Sequence, residues 1–121
     1  MANLQTGIDM LEVARLQKAI DRHGEKFLQR IFTEKELEQL RDDVPSLTAR
    51  WAAKEAVAKA LRTGIGDVSW QEIEILRGPS REPELHLYGA AKERAAKLGL
   101  SEWSISISHT LDYAVAMAVA I

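Results

Sequence analysis

The sequence predicts an α+β fold with helices packed on a mainly antiparallel sheet, and three observations predict it. Apolar residues recur at helical spacing through the first half, polar and apolar residues alternate in short runs through the second, and no repeat or low-complexity linker separates them. The 121 residues, 46% apolar and 28% charged, suit one ordinary folded unit, so 1–121 is read as a single domain. Sixteen Lys and Arg against 18 Asp and Glu leave a formal charge of −2, which gives no global footprint for nucleic acid and makes any anion site local. With no cysteine, disulfides, thiol nucleophiles and cysteine metal sites are excluded. The opening MANLQTGIDM lacks a basic region followed by an apolar core, and no stretch is apolar for the length of a membrane span. The expectation is a soluble, cytoplasmic protein whose partners include neither membrane nor nucleic acid.

Residues 4–10 read as a short strand, after which Val13, Leu16, Ile20, Phe27 and Ile31 recur at helical spacing with a break at Gly24. Thr33 followed by Glu36 forms a capping box, so TEKELEQL begins a new helix that ends near Asp42. Pro45 and Ser46 precede a third helix over 47–62, stopped by Thr63-Gly64-Ile65-Gly66, where glycine permits a left-handed cap. QEIEIL and ELHLY alternate around Gly78-Pro79-Ser80 and predict an antiparallel hairpin. Residues 89–98 are rich in helix formers and end at Gly99, and WSISIS and YAVAMAVAI then read as strands around the turn His109-Thr110-Leu111-Asp112. The last strand is apolar on both faces and must be covered on both, by helices or by another subunit. The expectation is therefore an oligomer.

The helix over 47–62 carries the most chemistry. At about 100° per residue, Leu47, Trp51, Val57, Ala58 and Leu61 share one apolar sector, while Ala49, Ala52, Ala53, Ala56 and Ala60 form a second, suited to close backbone packing. Thr48, Glu55, Lys59 and Arg62 lie on a narrow polar strip between them, and Arg50 and Lys54 project from within the apolar sector. Glu55 and Lys59 at i, i+4 fit a plain solvated ion pair, worth roughly 0.3–0.5 kcal/mol. Against that stands desolvation: a carboxylate between two packed sectors needs a cation or a metal to compensate it.

Three separated motifs, G-I-D at Gly7-Ile8-Asp9, W-A-A-K-E-A-x-x-K at Trp51–Lys59 and S-I-S-H-T at Ser106–Thr110, join a long opening, GIDMLEVARLQKAIDRHGEKFLQRIFTEKEL. Together they resemble the holo-acyl-carrier-protein synthases, over almost the entire chain. The resemblance implies a 4'-phosphopantetheinyl transferase-like fold of the small, single-repeat type, assembled as a homotrimer with active sites between subunits. It implies transfer of the 4'-phosphopantetheine arm of coenzyme A to a serine of apo acyl carrier protein, releasing adenosine 3',5'-bisphosphate. Breaking a pyrophosphate linkage requires neutralising spreading negative charge in line with an attacking hydroxyl, which Mg²⁺ does well while taking only one or two carboxylates. Asp9 and Glu55 match the family's metal-binding carboxylates, although Asp9 alone also suits a helix N-cap before Met10-Leu11-Glu12.

Lys59, one turn beyond Glu55, is placed for a phosphate oxygen and joins Asp9 and Glu55 as the catalytic set. Arg50 and Lys54 are candidates for the 3'-phosphate and pyrophosphate of coenzyme A. Ser108, His109 and Thr110 match the adenosine-phosphate pocket, with His109 a hydrogen-bond donor rather than a metal ligand. Glu55, or a Mg²⁺-bound water held by Asp9, would each serve as base for the serine proton. Arg15, Lys18, Arg22, Lys26 and Arg30 recur every three or four residues and, if the helix continues, share a basic face of about 120°. Such a stripe is commonly a solvated face, but it also suits an acidic carrier protein, with Arg15 and Arg22 matching the family's docking positions best. Two other readings remain: a non-catalytic coenzyme A or nucleotide-binding trimer, and a structural trimer that uses the alanine helix only for packing.

Overall fold

A computed structural model describes residues 3–121; Met1 and Ala2, where the reading of the amino terminus begins, lie outside the described residues. Strand β1, Gln5–Glu12, runs two residues beyond the predicted strand and leads directly into α1, Val13–His23. Gly24, at φ +59°, breaks the helical pattern as expected, and α2 follows at Glu25–Ile31. The capping box at Thr33 and Glu36 forms and opens α3, Glu34–Leu40. Helix α4 spans Val44–Ala60 and starts three residues before the predicted boundary, because Asp43 caps it by accepting from the Ser46 amide and Pro45 sits in the first turn.

The far end of α4 also departs from expectation. Its left-handed cap residue is Arg62, at φ +58°, rather than a glycine: the Thr63 amide donates to the Ala58 carbonyl and the Arg62 amide to Lys59, a Schellman pair. A 3-10 turn at Trp70–Glu72 leads into β2, Ile73–Arg77, which pairs antiparallel with β3, Pro83–Leu87, as the predicted hairpin. Helix α5, Gly89–Lys97, ends on Gly99 at φ +73°, and β4, Trp103–His109, and β5, Tyr113–Ala120, complete the chain. His109 is the last residue of β4, paired with Ala114, so the turn is one residue shorter than the sequence suggests.

Strand β5 is the centre of a three-stranded antiparallel sheet in the order β1-β5-β4. Its even residues, Ala114, Ala116, Ala118 and Ala120, are buried, and α4 packs across them and across β1. The alanine sector of α4 is buried along its length, and the approach is close enough that a Cβ at Gly7 would collide with the Ala56 carbonyl oxygen. Alanine and glycine here let two backbones meet, and the close approach sets Asp9 beside α4. The opposite face of the sheet carries Ile8, Met10, Tyr113 and Met117, all exposed, with Ile8 directly across from Met117. One face of the apolar last strand is thus covered by the chain's own helix and the other is open. No helix among the described residues is long and apolar enough to cross a membrane.

Candidate active site

Asp9 sits in the middle of β1, paired with Ala116, so it caps no helix; Glu12 occupies that position before α1. Lys59 reaches back from α4 to β1, where its Nζ donates to the Ile8 carbonyl at 2.8 Å and to Asp9 Oδ1 at 3.3 Å. The plain Glu55 to Lys59 ion pair does not form among the described residues; Lys59 pairs with Asp9 instead. Glu55, half-buried one turn earlier, has its pKa raised by burial and then by the charge of Asp9, which Lys59 and Arg15 only partly offset. Asp9 Oδ2 is buried and has no hydrogen-bond partner among the described residues. Two carboxylates that repel one another, one with an orphaned oxygen, are short of positive charge. A divalent cation that takes a pair of carboxylates and completes its shell with phosphate and water oxygens fits that shortage, and Mg²⁺ has those preferences.

A second charged region lies on the other side of α4. The start of the helix, the β2–β3 hairpin and the end of β4 enclose a cavity of about 520 Å³ lined by Ser46, Arg50, Arg77, Arg81 and His109, with Asp43 as its one acid. Asp43 is occupied, accepting from the Ser46 amide at 3.1 Å and the Ser46 hydroxyl at 2.7 Å, and the hydroxyl holds its pKa below the ordinary value. Arg50 is 6% exposed, its Nε has no partner among the described residues, and burial followed by the charge of Arg77 disfavours its cationic form. His109 Nε2 lies 3.5 Å from the Ser46 hydroxyl. The cavity has surplus positive charge and unused donors, the complement of a phosphate.

The structure distributes the remaining expected residues unevenly. Lys54, expected among the phosphate ligands, is instead wholly buried in the core: its ammonium pairs with Glu36 at 2.8 Å and donates to the carbonyls of Trp70 at 3.0 Å and Ile73 at 2.6 Å. With three donors and three acceptors, nothing remains for a ligand. Ser108 is exposed and lies outside the residues that line the cavity, whereas Ser106 and Ile107 line it. Thr110 shapes the β4–β5 turn, its hydroxyl accepting from the amides of Asp112 at 3.2 Å and Tyr113 at 3.1 Å. Gly24 divides the basic stripe, leaving Arg15, Lys18 and Arg22 on α1 and Lys26 and Arg30 on α2. Arg22, Lys26 and Arg30 line one concave surface, while the Arg15 guanidinium lies 5.3 Å over the Trp51 ring. Ser46, Arg77 and Arg81 were missed from sequence. No motif marked the two arginines, and only the fold of the hairpin against α4 brings them to Arg50.

A family model described as the 4'-phosphopantetheinyl transferase superfamily matches residues 5–118. A holo-[acyl-carrier-protein] synthase from Herpetosiphon aurantiacus is 45% identical, over 96% of this chain and 97% of that protein. One from Dehalococcoides mccartyi is 49% identical, over 97% of this chain and 98% of that protein. Among solved structures, the holo-[acyl-carrier-protein] synthase of Neisseria meningitidis superposes with a TM-score of 0.88 at 34% identity, covering 100% of this chain and 99% of the other. That of Helicobacter pylori, in complex with coenzyme A, gives 0.87 at 33%, covering 96% and 99%. With the carboxylate pair, the cation-rich cavity and these relatives together, the chain belongs to the 4'-phosphopantetheinyl transferase superfamily and, within it, to the holo-[acyl-carrier-protein] synthases.

Proposed function

We propose that the chain transfers the 4'-phosphopantetheine arm of coenzyme A to a serine of apo acyl carrier protein in a Mg²⁺-dependent reaction. The observation that carries this reading is the pairing of Asp9 and Glu55 beside Lys59, a site with two carboxylates, an orphaned oxygen and an adjacent ammonium. Asp9 and Glu55 would hold the cation, which would supply charge neutralisation for the pyrophosphate. The coenzyme A found in the Helicobacter relative supports the donor.

The serine oxygen attacks the phosphorus that bears the pantetheine arm, the bond to the bridging oxygen breaks, and adenosine 3',5'-bisphosphate leaves with the electron pair. Lys59, fixed between the Ile8 carbonyl and Asp9, offers its remaining donor to a phosphate oxygen. Glu55, whose raised pKa favours proton uptake, would take up the serine proton as the hydroxyl attacks. Arg50 and His109 hold the nucleotide end, and the basic residues Arg15, Lys18, Arg22 and Lys26 receive the acidic carrier.

The two halves of this site lie on different sides of α4. Arg50 and Glu55 are five residues apart, which turns them about 140° from one another around α4. A donor that reaches both is therefore bound between subunits, and the exposed apolar sheet face around Ile8, Met10 and Met117 is the surface that joins them in a homotrimer. Intact mass spectrometry of an apo carrier protein incubated with the chain, coenzyme A and Mg²⁺ tests the activity. A gain of one phosphopantetheine mass that disappears with EDTA supports it; coenzyme A binding without any gain points to the non-catalytic module. Sedimentation of Met117→Asp tests the assembly: trimers giving way to monomers are expected, and an unchanged sedimentation coefficient removes the proposed interface.

A further inference from the structure

We infer that the β2–β3 hairpin carries a specificity device of this chain: Arg77 and Arg81 complete, with Arg50, the subsite that tells a donor bearing a terminal phosphomonoester from one lacking it. The inference rests on the proposed transferase reading and adds to it two residues that the motifs do not contain.

Both arginines are held by their backbones. Gln39 on α3 clasps Arg77 as a neighbouring strand would, its Oε1 accepting from the Arg77 amide at 2.7 Å and its Nε2 donating to the Arg77 carbonyl at 3.2 Å. The turn that follows is closed by the Gly78 amide on the Glu82 carbonyl at 2.7 Å and the Arg81 amide on the Gly78 carbonyl at 2.9 Å. Glu82 is occupied within it, its carboxylate accepting from the Ser80 amide at 2.8 Å. Arg81 adopts φ +67°, a conformation that glycine takes freely and an L side chain takes at a cost. The turn itself gives no reason for an arginine at a glycine position, whereas the cavity beneath it does.

Three arginines then line one cavity with a single acid, Asp43, whose oxygens already serve Ser46. Arg50 contributes a buried Nε without a partner among the described residues. A terminal phosphomonoester, a dianion with three equivalent oxygens, can accept from several forked cations at once; a bare ribose hydroxyl cannot. The hairpin is thus the part of the chain that rewards the phosphate rather than the nucleoside.

Titration calorimetry with adenosine 3',5'-bisphosphate and adenosine 5'-monophosphate as probes, on the full chain and on Arg81→Gly and Arg77→Gln, tests the assignment. Each variant is expected to weaken the bisphosphate about tenfold while holding the monophosphate within about twofold, as loss of one charge-assisted contact implies. Arg81→Gly should melt no lower than the parent, because glycine suits the turn, so weakened binding there is not a folding defect. Equal losses for both probes, or none for the bisphosphate, overturn the inference. Transfer from coenzyme A and from 3'-dephospho-coenzyme A separates it from the reading beneath it. If the parent chain modifies the carrier but the variants keep its preference between the two donors, the hairpin assignment alone fails. If the parent binds neither probe and modifies no carrier, the transferase reading fails and takes this inference with it.

Discussion

Lys54 and Lys59 stand five residues apart on one helix and lead opposite lives. Lys54 is fully buried, yet its ammonium meets Glu36 and two carbonyls, and Glu36 in turn accepts from the amides of Thr33 and Ile75. Every group in that cluster has a partner, and burial pushes the Lys54 pKa down without stranding it. Lys59 is half-exposed, and the acids around it outnumber it: Asp9 keeps an orphaned oxygen and Glu55 is held above its ordinary pKa. Depth alone therefore does not mark function. The balance of donors and acceptors does, since a closed ledger is architecture and an open one awaits a ligand.

The sharpest way to break this contrast is Glu55→Gln. Transfer measured by mass spectrometry should fall by about a thousandfold or more, because the substitution removes one of the two carboxylates proposed to hold the metal. The fold should be unharmed, since the change relieves the repulsion with Asp9. The sign of the pH dependence follows. With a raised pKa, Glu55 binds its proton more readily in the folded chain, so this group's contribution to stability is present at low pH. It is lost as pH rises from 4.5 through the folded value. Melting curves of metal-free protein should show that slope, Glu55→Gln should lack it, and Mg²⁺ should raise the melting temperature of the parent alone. A variant that transfers normally would end the metal assignment.

Lys54→Met should do the reverse, harming stability first. Breaking a buried pair by removing one partner costs about 3–5 kcal/mol, read as a lower urea midpoint at constant slope. Adding Glu36→Gln, which removes the stranded charge, should recover part of the loss, and no recovery would show the two side chains to be uncoupled. Next in size, Arg15→Glu should raise the KM for carrier protein about tenfold with little change for coenzyme A, as reversal of a steering charge predicts. Because Arg15 also lies over Trp51 and near Glu55, equal effects on both substrates would move it from docking surface to active site.

What the sequence made legible follows the same division. Periodicity and capping residues predicted the elements, the hairpin and the alanine contact, because those are set by neighbours in the chain: Thr33 and Glu36 cap locally, and Gly7 and Ala56 are small wherever they sit. Motif resemblance alone brings Asp9 and Glu55 forward as a pair, and the structure adds an electrostatic shortage between them. Lys54 was misplaced because a lysine beside Glu55 looks the same whether its ammonium meets a phosphate or Glu36, eighteen residues away. Arg77 and Arg81 were invisible for the complementary reason, since they meet Arg50 only through a hairpin that packs back on α4.

The smallest effect is also a control. Arg62 and Arg81 are the two arginines among the described non-glycine residues that adopt positive φ, at +58° and +67°. Arg62 closes the Schellman pair of α4, with its carbonyl taken by Arg94 Nη2, and it does not line the cavity that Arg81 lines. Glycine there should stabilise the chain by about 0.5–1 kcal/mol, the left-handed penalty less the extra freedom of the unfolded state. Binding of adenosine 3',5'-bisphosphate should not change. Arg81→Gly makes the same backbone change and should bring the same sign in stability, yet it should weaken that ligand. Two substitutions alike in φ and in charge removed then differ only in what the guanidinium faces. If both weaken the ligand equally, the effect belongs to net charge and not to the hairpin; if only Arg81→Gly does, strain at that turn is maintained for the sake of the phosphate.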